Sequence, residues 1–210
     1  AEDFKQATEL APKNADAFYY LGLTHIDAGK QEQAVLALKK ALSINPRYKG
    51  ANLQLGMLAE QQANAGDTKK FDEAVEYYEN EVKIDDSPHS SVGLKAHQQL
   101  AMLYSSYKLD FEKAGKEFKK ALALDPKHIP TILYYGNMLY NLDRIGEAVE
   151  QFEHAVQLEP KDLTANYNLA LMYERAGKKG LAIIRWKEFL KLNAPAEWVE
   201  EAKQHLEELE

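Results

Sequence analysis

Six histidines, His25, His89, His97, His128, His154 and His205, are the residues best suited to move protons or hold a metal at neutral pH. Their spacing favours neither use. No two stand four apart, His-Glu-x-x-His is absent, and no Gly-x-Ser-x-Gly or phosphate-binding glycine loop occurs. Cysteine is missing, which excludes disulfides, thiolate metal sites and a thiol nucleophile. Aspartate and glutamate are plentiful, but they fall early in helical stretches or on polar faces, where they complement the dipole or pair with lysines such as Lys119 and Lys120. The expectation is a chain that is not an enzyme and uses no cofactor and no metal. What remains is non-covalent chemistry: side-chain amides that pair with polar groups, and large apolar side chains that grip.

The elements that position such groups come from a chain with a real core. Of 210 residues, 45% are hydrophobic and only 7 are proline and 11 glycine, a composition that folds. The net charge is −7, and most of it sits after residue 196, where six acids face Lys203 alone. The rest is nearly neutral and lacks the basic surplus that displaces counterions, so no nucleic acid is expected as a partner. Apolar runs are far shorter than the roughly 20 residues that span a bilayer, so direct membrane insertion is not expected of this segment. A soluble location, cytoplasmic or periplasmic, is expected, and the absence of cysteine does not separate the two.

Similar contexts recur along the chain. Alanines repeat at Ala34, Ala74, Ala114, Ala148 and Ala182, in steps of 40, 40, 34 and 34, and prolines close similar helices at Pro12, Pro46, Pro126 and Pro160. Around them stand Leu21-Gly22, Leu55-Gly56, Leu100-Ala101, Tyr135-Gly136 and Leu169-Ala170, then Leu38, Tyr78, Phe118, Phe152 and Trp186 four residues after the alanines. This pattern resembles the tetratricopeptide repeat (TPR) family along almost the whole chain. The resemblance implies an all-α fold: a right-handed superhelical α-solenoid of antiparallel helix pairs, one domain over 1–210. Its parts are five full repeats at 15–48, 49–88, 89–128, 129–162 and 163–196, an N-terminal half repeat at 1–14 and a capping helix at 197–210. On physical grounds the small residues let paired helices approach, and the large ones fill the space between neighbouring pairs.

Both ends and the middle carry further expectations. Phe4, Ala7 and Pro12 sit at second-helix offsets, so more sequence, or a removed signal or anchor, is expected before Ala1. Pro195 starts a last helix whose stripe of Trp198, Val199, Ala202, Leu206 and Leu209 caps the final repeat. Extra residues between Glu60 and Phe71 add a helical turn at Gln61, Gln62 and Ala63 and lengthen the following turn, and one more residue lies near Lys108. Ser87-Pro88 reads as an N-cap and first helical residue that start the third repeat early.

In TPR proteins the fifth, ninth and twelfth residues of each first helix line a concave groove that holds a peptide. Here that stripe includes Tyr19, Leu23, Met57, Gln98, Met102, Asn137, Tyr140, Tyr167 and Leu171, together with Leu53, Leu133, Glu60 and Glu174. With the neighbouring Asn141 and Asn168 it suits a segment of another protein, held by apolar anchors and by amides pairing with its polar groups, while the fifth positions also serve packing. Family members that clamp a terminal carboxylate use lysines and an arginine where this chain has Leu133, Trp198 and Ala202, so that clamp is not implied. The expected role is a protein-protein interaction scaffold or adaptor that supports complex assembly. The alternative is self-association, or a structural module of a larger, membrane-anchored protein.

Overall fold

Apolar residues recurring at three and four positions, with turn formers between them, produce twelve α-helices and no strand among the described residues. The computed structural model describes residues 2–85 and 87–210, without the side chains of residues 2, 3 and 5. Ala1, the first residue of the expected half repeat, and Asp86, at the expected proline position of the second repeat, lie outside the described residues.

The chain divides into two compact units. Ala1–Leu124 holds α1 (Glu2–Leu10), α2 (Ala15–Asp27), α3 (Gln31–Ile44), α4 (Ala51–Asn64), α5 (Lys70–Ile84), α6 (Ser91–Ser106) and α7 (Phe111–Leu124). Asp125–Glu210 holds α8 (Ile129–Asn141), α9 (Ile145–Leu158), α10 (Leu163–Arg175), α11 (Lys179–Phe189) and α12 (Ala196–Leu209). Nothing in the repeat pattern marks the division, because the step from Ala114 to Ala148 is a regular 34 residues. Within a unit, short turns fold each helix back on the last, pairing α2 with α3, α4 with α5 and α6 with α7, then α8 with α9 and α10 with α11. Each second helix also packs on the first helix that follows it in the same unit, α3 on α4, α5 on α6 and α9 on α10.

Local chemistry sets the ends of these helices. Asn14, Ser90 and Asp162 cap α2, α6 and α10 by accepting from the backbone N–H three residues on, at 3.3, 2.9 and 2.6 Å. After the second helices, Asn45 and Asp125 accept from the N–H two residues on, at 3.1 and 2.9 Å, and turn the chain before the next pair.

The interior depends on what first helices leave out. A Cβ on Gly22 would stand 2.8 Å from Leu38 Cγ, one on Gly56 2.5 Å from Tyr78 Cε1, and one on Gly136 2.8 Å from Phe152 Cζ. The space freed by each missing side chain is filled by the large residue of the same pair, which refines the expectation that these residues fill the gap between pairs. Leu38, Tyr78, Phe118, Phe152 and Trp186 are all essentially buried, each stabilising by about 1.5–3 kcal/mol through burial alone. Trp186 and Phe189, with Ala170, form a cluster that Trp198, Ala202, Leu206 and Leu209 of α12 complete.

The second repeat departs from the pattern for a physical reason. Glu81, at the position that Ala41, Ala121 and Ala155 hold in other repeats, is fully buried. Helix α4 is preceded by Gly50, which has φ +86° and no side chain to cap with, and the Glu81 carboxylate supplies the acceptor instead. Gly50 N–H and Leu53 N–H donate to it at 2.7 and 3.1 Å. Burial pushes the Glu81 carboxyl up from its ordinary range, against the pull of those N–H groups. One turn on, Asp85 accepts from Lys49 Nζ at 2.8 Å, from Ser87 Oγ at 2.5 Å and from Ser90 Oγ. The expected early helix at Ser87-Pro88 is therefore corrected: Ser87 binds Asp85, His89 takes φ +61°, and Ser90 caps α6 at Ser91. Gln61, Gln62 and Ala63 lie in the lengthened α4.

The turn inside a pair needs one left-handed residue. Gly29 and Gly177 supply it in two pairs, whereas the α6–α7 turn puts Leu109 at φ +53° with its side chain exposed. Leu109→Gly is expected to stabilise the chain by about 1 kcal/mol, read as a rise in the urea midpoint.

Asp85 gives a pH dependence of known sign. Burial works to raise its carboxyl, but the bonds from Lys49, Ser87 and Ser90 win and pull it down to about 2. The stabilisation is therefore complete above the unfolded value near 4 and is lost as pH falls through about 2. Asp85→Asn is expected to cost about 2 kcal/mol at pH 7, and the gap to the wild type should close between pH 4 and 2 in urea titrations.

Candidate functional site

The amides and apolar side chains expected to grip a peptide lie on the first helices of each unit. In the first unit Tyr19 is half-buried, its ring 4.8 Å from Tyr48 and 5.4 Å from Tyr20, and its hydroxyl lies against Gly50. Burial, then the Glu81 carboxylate, pushes this phenol up. Leu53 is buried and Leu23 half-buried. Met57 is 39% exposed and Met102 half-buried, so the two thioethers are the apolar groups that first helices α4 and α6 offer to a ligand.

Gln98 requires a correction. It is only 2% exposed, and its Oε1 has no hydrogen-bond partner among the described residues, so it offers no amide to a docked chain. Glu60 is also committed internally: it accepts from Tyr78 Oη at 2.8 Å and from Gln99 Nε2 at 3.3 Å. The acid in this stripe serves the large residue of its own pair.

In the second unit Asn137 is exposed on α8 and Asn168 half-buried on α10, and Asn168 Nδ2 donates to Asn137 Oδ1 at 3.2 Å. That single bond leaves Asn137 Nδ2 as a donor and Asn168 Oδ1 as an acceptor, the complement of one peptide unit. Tyr140 and Leu171, each three residues on and half-buried, share those helix faces, and Asn141 is exposed at the end of α8. Tyr167 is largely spent on the cap. Its ring lies 5.2, 5.8 and 5.3 Å from Trp186, Phe189 and Trp198, and burial, then a bond to Glu201, pushes its phenol up. Glu174 accepts from Trp186 Nε1 and faces His205 Nδ1 at 3.1 Å.

Hydrogen bonds between neighbouring repeats are the groups missed by reading the sequence. Tyr104 on α6 donates to Glu79 on α5, and Tyr173 on α10 donates to Glu153 on α9 at 2.8 Å. Burial, then Glu153, pushes the Tyr173 phenol up to about 12. Among the described residues no three His, Asp or Glu side chains gather as a metal would need, and no helix is long and apolar enough to cross a membrane.

Comparison with known proteins places this geometry. Tetratricopeptide repeat family models match residues 15–48 and 94–128, and a TPR repeat model matches 136–177, together more than half of the chain. The chain is 25% identical over 203 residues to human protein O-mannosyl-transferase TMTC3, covering 82% of this chain and 22% of that protein. It is 24% identical over 208 residues to the TPR repeat-containing protein MJ1428 of Methanocaldococcus jannaschii, covering 91% and 34%. The chain thus spans about a third or less of the length of these two curated relatives. Among solved structures, YrrB, a TPR protein with an unusual peptide-binding site, superposes with a TM-score of 0.75 at 17% identity, covering 96% of this chain and 97% of that one.

Proposed function

Because this chain belongs to the tetratricopeptide repeat family, we propose that it is a protein-interaction scaffold whose first-helix faces hold an extended or helical segment of another protein. The observation that carries this reading is the Asn137–Asn168 pair, two side-chain amides on neighbouring helices with one donor and one acceptor left over. Tyr140 and Leu171 beside them supply apolar area in the second unit, as Met57, Met102 and Leu23 do in the first. The peptide-binding site named for YrrB is in keeping with the proposal, although that likeness speaks to the fold alone. The transferase activity named for TMTC3 belongs to a protein of which this chain matches 22%.

Peptides selected from a random display library on the wild-type chain test the proposal. For peptides held by the second unit, affinity is expected to fall at least about tenfold when Asn137 and Tyr140 become alanine, and for peptides held by the first unit, when Met57 and Met102 become serine, with circular dichroism unchanged. Selected peptides that bind the fourfold variant as tightly as the wild type would retire the reading.

A further inference from the structure

Two repeat junctions are fastened in the same register. Tyr104 and Tyr173 stand three residues after the small residues Ala101 and Ala170, and their acceptors Glu79 and Glu153 stand five residues after Ala74 and Ala148. In the first unit the junction of α3 with α4 carries Ala59 at the tyrosine position and Lys39 at the glutamate position. Both the ring and its acceptor are missing there.

A cavity of about 310 Å³ opens at that place, between second helices α3 and α5 over α4. Leu55, Ala59, Val35 and Tyr77 give it an apolar lining, and Leu36, 70% exposed, stands at its edge. Its volume falls at the small end of the range of about 300–1,000 Å³ typical of ligand sites, enough for one ring and its neighbouring group. The charges at the rim differ in availability. Lys70 is neutralised by Glu73 at 2.6 Å, and Glu32 lies two helical turns before Lys39. Lys39 is exposed and has no ion-pair partner among the described residues. Ala59 points about 200° away from Met57 around α4, so this site is separate from the first-helix face.

We infer that this cavity docks a segment of a partner protein carrying an aromatic side chain beside a carboxylate. The ring takes the place that Tyr104 and Tyr173 fill at the other junctions, and the carboxylate meets the Lys39 ammonium, reversing the phenol-to-glutamate polarity found there.

Titration of the isotope-labelled full chain with three blocked dipeptides, followed by amide chemical shifts, tests the inference. Acetyl-Tyr-Asp-amide is expected to move the Leu36, Lys39 and Ala59 signals and to bind roughly tenfold more tightly than acetyl-Tyr-Asn-amide or acetyl-Ala-Asp-amide. Lys39→Glu, at an exposed position, should weaken it by about tenfold with the fold unchanged. Ala59→Tyr combined with Lys39→Glu rebuilds the internal fastening and should abolish binding; if that variant fails to fold, Lys39→Glu alone decides. Equal affinity for the Asp and Asn dipeptides, unchanged binding by Lys39→Glu, or shifts scattered away from these residues would each overturn the inference. So would a response to 3-(4-hydroxyphenyl)propionate without any to the dipeptides, which marks a site for a free aromatic acid.

Discussion

One steric condition underlies the helix pairs: the middle of each first helix must carry no side chain or only a methyl group, because a large side chain of the facing helix occupies that place. At Gly56 even a methyl group would press 2.5 Å from the Tyr78 ring, and Gly22 and Gly136 stand in the same relation to Leu38 and Phe152. Interiors as dense as this have little room to yield, so the small and the large residue have to be chosen together. In the third and fifth repeats alanine does the same work opposite Phe118 and Trp186, and all four of these residues are essentially buried.

Packing alone does not fix how one pair meets the next, and there polar groups take over. The Tyr104–Glu79 and Tyr173–Glu153 bonds tie a second helix to the first helix of the next pair, and the Glu81 cap ties α5 to the start of α4 within a pair. Buried or half-buried, such bonds tolerate little slippage, since breaking one leaves a desolvated group unpaired. They specify register more than they add net stability. The α3–α4 junction lacks its phenol and carboxylate, and an open cavity is found at that point.

The architecture was legible because it is steric and periodic. Ala34, Ala74, Ala114, Ala148 and Ala182 lie at offsets that fix the pairs, and all five are completely buried. The binding face was less legible, because its residues share a helical stripe with residues used for packing. Spacing alone treats Gln98 and Asn137 alike, yet one is 2% exposed and the other open to solvent. Glu60, Glu174 and Tyr167 look like groove residues until the partners that occupy them, Tyr78, Trp186 and the α12 residues, come into view. Ser87-Pro88 misled for a local reason: the Ser87 hydroxyl serves Asp85, two residues before it. Pairing between helices decides the groove residues, and local sequence does not encode it.

The placement of the indoles has a practical consequence. Both tryptophans of the chain, Trp186 and Trp198, lie in Asp125–Glu210, on either side of the contact between α11 and α12. Trp186 is sealed from solvent, tied to the Glu174 carboxylate and stacked at 5.0 Å on the His205 imidazole of α12. Tryptophan emission, excited apart from the tyrosines, therefore comes from Asp125–Glu210 alone and works as a built-in optical gauge of whether the terminal helix is seated.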